Sequence, residues 1–213
     1  MSAALLLSAV EIRLGQTVLV PRLDLEVAPG EIVTVMGASG AGKSTLLAFI
    51  AGFLDPAFSA QGRVLLGDDD ISPLPAERRR VGLLFQDDLL FPHLSVGENL
   101  AFGLSAAVRG RAARQARIEA ALDQAGLSGM APRDPGTLSG GQRARVALMR
   151  TLLAEPRALL LDEPFNRLDA ALRRDFAAFV FDHARAQSLP TLLVTHDIAD
   201  AEASRGRIIR IAE

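Results

Sequence analysis

Apolar residues fall along the chain in two periods, and the two alternate. The run EIVTVM (residues 31–36) is continuous and β-branched, which predicts a buried strand. It enters a glycine-rich loop, and KSTLLAFIAG (43–52) then takes up the helical period and stops at Gly52. Further buried strands are expected at RVLLG (63–67), VGLLFQ (81–86), ALLLD (158–162) and TLLVT (191–195). Helical stripes run through GQRARVALMRTLLAE (141–155) and DAALRRDFAAFVFDHARAQ (169–187). Strands alternating with helices imply a mainly parallel sheet covered on both faces, an α/β fold. The early segments LLLSAVEIRL (5–14) and VLVPRLDLEV (18–27) predict instead an antiparallel flank. Between these, VRGRAARQARIEAALDQAG (108–126) is helical in a stretch with few strand signals. The expected organisation is one domain, with a core at about 1–86 and 138–213 and a helical lobe inserted at about 87–137.

Composition narrows the class. At 213 residues and 49% apolar, the chain can bury the core of one domain. Its 23 basic and 25 acidic residues nearly cancel, so no broad basic surface invites nucleic acid. There is no cysteine, which excludes disulfides and thiolate metal sites. The start, MSAALLLSAV, lacks a basic n-region and runs into an alternating strand pattern, so a signal peptide is not expected. No uncharged apolar window reaches the roughly 18 residues a membrane-spanning helix needs. Arginine occurs 22 times and lysine once, at Lys43.

That single lysine lies in GASGAGKST, Gly37 to Thr45, which fits the phosphate-binding pattern G-x-x-x-x-G-K-[ST] between a strand and a helix. Glycines let successive backbone N–H groups of Gly37, Ala38, Ser39, Gly40, Ala41 and Gly42 converge on phosphate oxygens, with Lys43 as a mobile point charge. Ser44 offers a hydroxyl to Mg²⁺, and Thr45 closes the loop. The strand ALLLD delivers Asp162 and Glu163 to its C-terminal edge, where parallel sheets carry ligand chemistry. Asp162 suits the metal and Glu163 an attacking water.

A second phosphate-binding pattern follows at LSGGQ, Leu138 to Gln142. With the first loop before it and LLLDEP after it, the chain resembles the ATP-binding cassette (ABC) transporter ATPases along essentially its whole length. The resemblance implies a P-loop NTPase fold, ATP and Mg²⁺ as ligands, and ATP hydrolysis. It also implies a head-to-tail, ATP-dependent homodimer in which Ser139, Gly140, Gly141 and Gln142 of one subunit cap the nucleotide of the other. Gln86, in LLFQDD, matches the glutamine that senses Mg²⁺ and water. His196, in LLVTHD, matches the switch histidine that contacts the γ-phosphate and positions Glu163. Asp169, in NRLD, matches the aspartate of the loop that crosses the dimer interface. His93 and His183 have no such setting and read as surface or packing residues.

Three features depart from the family pattern. The adenine-stacking aromatic is replaced by Leu14, so ATP affinity is expected to fall by about 1 kcal/mol. Asn166 and Arg167 stand where the crossing loop usually has small residues. Only 17 residues follow His196, which suggests a minimal cassette.

A GTPase reading of NRLD fails because Arg replaces Lys and no D-x-x-G switch precedes it. A P-loop kinase would leave the signature unexplained. An ABC exporter ATPase, or less so a soluble ABC ATPase, is the alternative to an importer. VGLLFQDDLLFPHLSVGENLAFGL (81–104) followed by DPGTLSGGQRARVAL (134–148) looks closest to bacterial importers of the thiamine, polyamine, iron and oxyanion type. An importer implies integral-membrane permeases, a solute-binding protein, and a cytoplasmic position against the inner face of the membrane. Leu89, Leu90, Phe91 and Leu94 are candidates for the permease-docking surface, with core packing equally able to explain them.

Overall fold

The computed structural model describes residues 3–38, 40–166 and 168–211. The chain divides into two units. The first takes in the described residues up to Leu83, then Arg157–Glu163 and those from Ala177 on; the second comprises Leu84–Pro156 and Pro164–Phe176.

The first unit holds two sheets. One is antiparallel, in the order β2-β1-β4-β5, built from β1 (Leu5–Leu14), β2 (Thr17–Val27), β4 (Phe58–Leu66) and β5 (Asp69–Asp70). The other has the order β6-β7-β8-β3-β9, from β3 (Ile32–Met36), β6 (Val81–Leu84), β7 (Ala158–Asp162), β8 (Thr191–Thr195) and β9 (Arg207–Arg210). Strands β7, β8, β3 and β9 pair in parallel. The middle strands have nearly every side chain buried, as a sheet covered on both faces requires.

The run RVLLG, expected among the buried strands, belongs to the antiparallel flank. It ends β4, which pairs with β1 through Leu5↔Leu66 and Leu7↔Val64. Val64 and Leu66 are buried while Leu65 between them is only partly so, the alternation of a strand with one face on the core. Helix α1 (Lys43–Ala51) shares one apolar cluster with both sheets: Leu46, Leu47 and Ile50 pack with Leu5, Ile12, Val33, Leu160 and Leu192.

Short helix α2 (Ala76–Arg79) ends in a buried guanidinium. Arg79 donates to the carbonyls of Phe49 and Ile50 at the C-terminus of α1, and to those of Ser72 and Leu74. These neutral carbonyls satisfy the donors of the buried cation, and the guanidinium in turn caps the last turn of α1.

The second unit contains α3 (Val96–Gly103), α4 (Arg111–Gln124), a 3-10 turn (Pro135–Thr137), α5 (Gly140–Leu153) and the first turns of α6 (Ala170–Ala186). It therefore includes α5 as well as residues 87–137. Buried Asn99 on α3 accepts from Phe91 N–H and donates to the carbonyls of Phe91, Leu94 and Ser95, which orders the preceding loop. Helices α3 and α5 meet backbone to backbone at Gly103, where a Cβ would lie 2.1 Å from the Arg150 carbonyl oxygen. Helix α7 (Ile198–Ser204) belongs to the first unit and connects β8 to β9.

Candidate active site

Parallel register sets the site. Met36 pairs with Thr195, and Asp162 with Val194, so the residues just beyond them, Gly37, Glu163 and His196, emerge at one sheet edge. Gly37 starts the loop where no side chain fits, since its Cβ would lie 2.8 Å from the Ile211 carbonyl oxygen. Gly42 caps α1 in the left-handed region (φ 76°), with its Cβ position 3.0 Å from Val20 Cγ2. Ala41 N–H donates to Ala38 O within the loop, and Gly40 is also left-handed. Thr45 is half-buried in α1. Ser39 lies outside the described residues.

Lys43 is 5% exposed, and its Nζ donates to the carbonyls of Gly37 and Ala38 at 2.8 Å each. The ammonium is thus folded onto the loop whose phosphate it is expected to meet. Ser44 Oγ donates to Asp162 Oδ1 at 2.9 Å. Burial pushes the Asp162 carboxyl above its ordinary value; the Ser44 hydrogen bond works against this, and the Glu163 charge adds to it. A hydroxyl and a carboxylate side by side are the hard oxygen donors that Mg²⁺ takes.

Glu163 leaves the end of β7 with left-handed backbone (φ 46°), held by its N–H donating to Val194 O at 2.9 Å. An acidic residue kept in that region at a sheet edge is a local cost of about 1–3 kcal/mol that the surrounding strands sustain. Its Oε1 lies 3.1 Å from His196 Nδ1. A carboxylate only accepts, so this contact requires the proton on Nδ1 and fixes the tautomer. The His196 side chain is 58% exposed and that of Glu163 22%. The expected metal pair and the expected base-and-switch pair are both brought together.

The remaining predicted residues divide between the units. Leu14, at the end of β1, is 46% exposed, as a surface for a base requires. Gln86, Ser139, Gly140, Gly141, Gln142 and Asp169 lie in the second unit. Gln86 is exposed just after β6. Ser139 and Gln142 form a capping box at the start of α5: the hydroxyl accepts from Gln142 N–H, and Gln142 Oε1 accepts from Ser139 N–H. Gly140 and Gly141 occupy the first helical turn, where N–H groups have no intrahelical acceptor. Asp169 Oδ1 accepts from Ala171 and Leu172 N–H and caps α6. Arg167 lies outside the described residues.

Of the docking candidates, Leu89 is 54% exposed, while Leu90, Phe91 and Leu94 are half-buried. None is a core residue. Phe91 stacks edge-on against Phe102, which is 70% exposed, and lies under the Arg150 guanidinium. His93 is exposed, and His183 Nδ1 lies 2.8 Å from Phe179 O on its own helix, so neither joins the site.

Several buried polar residues that order the fold carry no sequence motif. Arg79 and Asn99 were missed, since buried polar side chains look like surface residues in sequence. Thr195 and Asp200, buried beside His196, had one signal: a hydroxyl at a strand end followed five residues later by an acid on a helix start.

A glycine phosphate loop at the edge of a parallel sheet, a Ser–Asp oxygen pair and a Glu–His pair beyond it define a P-loop nucleotide hydrolase. Residues 20–166 match the ABC transporter family, and the chain belongs to it. Over 194 residues it is 50% identical to the ABC transporter ATP-binding protein YnjD of Escherichia coli strain K12, covering 91% of this chain and 89% of that one. It is 47% identical over 192 residues to the thiamine import ATP-binding protein ThiQ of Cereibacter sphaeroides, and 44% identical over 192 residues to ThiQ of Escherichia coli strain UTI89. Each of those matches covers 90% of this chain and 82% of the relative. The protein is an ATP-binding subunit and ATPase of this class. Among the described residues no helix is long and apolar enough to cross a membrane.

Proposed function

We propose that this ATPase drives import of a small solute through a partner permease, working as a head-to-tail dimer on the cytoplasmic face of the membrane. The two ThiQ relatives, named for thiamine import, favour import over export. In this reading the loop from Gly37 to Thr45 binds the phosphates, and Lys43 leaves its own carbonyls to reach the β- and γ-phosphate oxygens. Leu14 supports the adenine by apolar contact. Ser44 and Asp162, with Gln86 assigned from the resemblance alone, would hold Mg²⁺, which would supply positive charge to the phosphates. Ser139, Gly140, Gly141 and Gln142 of a second subunit cover the γ-phosphate, and Asp169 orders the loop crossing between subunits. Exposed Leu89 and Phe102, with half-buried Phe91 between them, receive a permease helix, and a solute-binding protein delivers the cargo outside.

The single observation carrying the hydrolytic assignment is the 3.1 Å contact between His196 Nδ1 and Glu163 Oε1, beside Asp162 at the same edge. Glu163 accepts the proton of the attacking water, and His196 holds its carboxylate in place. Replacing Glu163 by Gln keeps shape and hydrogen bonding but removes the base. Turnover should fall by at least ~100-fold, with ATP binding retained and ATP-dependent dimers accumulating on size-exclusion chromatography. Unchanged hydrolysis would exclude Glu163 as the base, and loss of dimers would exclude the clamp.

A further inference from the structure

His196 is exposed and sits in a turn, with its ring nitrogen Nδ1 3.1 Å from Glu163 Oε1. The backbone on both sides of it is held by a buried hydroxyl. Thr195, the last residue of β8 and fully buried, donates from Oγ1 to Asp200 Oδ2 at 3.0 Å. The same Oγ1 accepts from Asp197 N–H at 3.1 Å. One oxygen thereby ties the residue before His196 to the residue after it. Asp200 directs that oxygen: its carboxylate takes the hydroxyl proton and leaves a lone pair for Asp197 N–H.

Asp200 is 2% exposed, on the first turn of α7. A buried carboxylate costs free energy that an apolar side chain in its place would not. Helix α7 is also fixed at its other end. Ser204 Oγ lies 3.2 Å from Thr34 Oγ1 on β3, and Arg185 donates to the Ser204 carbonyl. Asp197 Oδ1 caps α7 by accepting from Ala199 N–H at 2.8 Å. Asp200 is therefore anchored to the two strands, β3 and β8, from which the phosphate loop and His196 emerge.

We infer that Asp200 is a positioning residue for ATP hydrolysis: through the Thr195 hydroxyl it fixes the turn 195–197 and so holds the His196 ring on Glu163. Being buried, it acts through Thr195. The inference rests on the reading of Glu163 and His196 given above.

The test uses the full chain with Asp200→Ala, Asp200→Asn, Thr195→Val and Thr195→Ser. Asp200→Ala and Thr195→Val should lower kcat by roughly 10- to 100-fold, the scale of a small misplacement of a catalytic group. Affinity for ATP, measured by calorimetry, should stay within about twofold, so that the loss falls on kcat alone. Thr195→Ser retains the hydroxyl and should restore kcat, and Asp200→Asn, a weaker acceptor, should fall between. The ring itself gives a readout independent of turnover. With three histidines in the chain, the His196 Hε1 resonance is assignable by His196→Gln. It should move toward the position of a free imidazole in Asp200→Ala and Thr195→Val, and stay in place in Thr195→Ser.

An unmoved resonance with unchanged kcat in both Asp200→Ala and Thr195→Val would overturn the inference, as would equal loss of ATP affinity and kcat in all four variants. Should Asp200→Ala fail to fold, the Thr195→Val and Thr195→Ser pair carries the same test. If His196→Ala leaves kcat intact, the assigned role of His196 fails, while the resonance still reports whether Asp200 holds its ring.

Discussion

The loop at Gly37–Thr45 and the start of α5 at Ser139–Gln142 are the two places proposed to offer backbone N–H groups to phosphate, yet the surroundings of their glycines differ. In the first, the fold itself demands them: a Cβ at Gly37 meets the Ile211 carbonyl at 2.8 Å, and Gly42 is left-handed against Val20. In the second, Gly140 has open room, its nearest neighbours being Arg143 Nη2 at 3.8 Å and Leu168 Cδ2 at 4.0 Å. Among the described residues nothing crowds a Cβ at 140, whereas one at Gly141 would lie 3.2 Å from Leu172 Cδ2. The room at Gly140 is what the proposed role toward a second subunit would use. The polar groups differ in the same way. Lys43 and Ser44 are held by the loop and by Asp162 in readiness for a ligand, whereas the Ser139–Gln142 box closes on itself and completes a helix.

The largest effect separating the two regions is expected from Lys43→Ala. Losing a charge-assisted contact of about 1.5–3 kcal/mol should weaken ATP binding to the isolated chain roughly 10- to 100-fold, by calorimetry. Retained affinity would remove the loop from its role. Next comes a paired substitution. Gly42→Ala forces a left-handed alanine at about 1–2 kcal/mol, a fall in Tm of roughly 2–8 °C. Gly140→Ala should leave Tm and monomer ATP affinity unchanged, yet slow turnover at protein concentrations where dimers form. If Gly140→Ala destabilises the fold as Gly42→Ala does, the contrast disappears.

The smallest effect concerns Asp162, whose pKa burial raises above the ordinary carboxylate value. The folded state then binds the proton more tightly than the unfolded chain, so stability falls as pH rises from the ordinary carboxylate value through the raised one. Above both values the nucleotide-free protein carries the full cost of the buried charge. Asp162→Asn should therefore raise the neutral-pH Tm, without nucleotide, by on the order of 2 °C. The gap to wild type should narrow as pH falls through that window, while Mg²⁺-dependent ATP binding is lost. A variant less stable than wild type at neutral pH would mean that the Ser44 bond outweighs burial.

The first of these regions was plainer in the sequence than the second. A strand, a glycine loop and a helix are contiguous, and β1, β7 and β8 fall on the residues that the apolar pattern marks. What the pattern could not carry was partnership. RVLLG shows three apolar residues in a row but not the exposed, mostly polar first part of β4, nor its pairing with β1. Strand β9, RIIR, is a mostly exposed edge strand too short to register as a period. The Glu163–His196 contact joins residues 33 apart, and only the in-register edge of β7 and β8 brings them together. Buried polar groups such as Arg79 and Asn99 were illegible for a simpler reason: hydropathy marks them as surface, and only their hydrogen bonds say otherwise.

The guanidinium that caps α1 has a consequence for how this chain can change over generations. Gly52 ends α1 with φ 90°, and a Cβ there would lie 2.5 Å from Arg79 Nε. A side chain at 52 would press on the arginine, whose donors serve the carbonyls of Phe49, Ile50, Ser72 and Leu74. Change at 52 is therefore felt at 79, while replacing Arg79 does not free position 52, whose left-handed backbone still favours glycine.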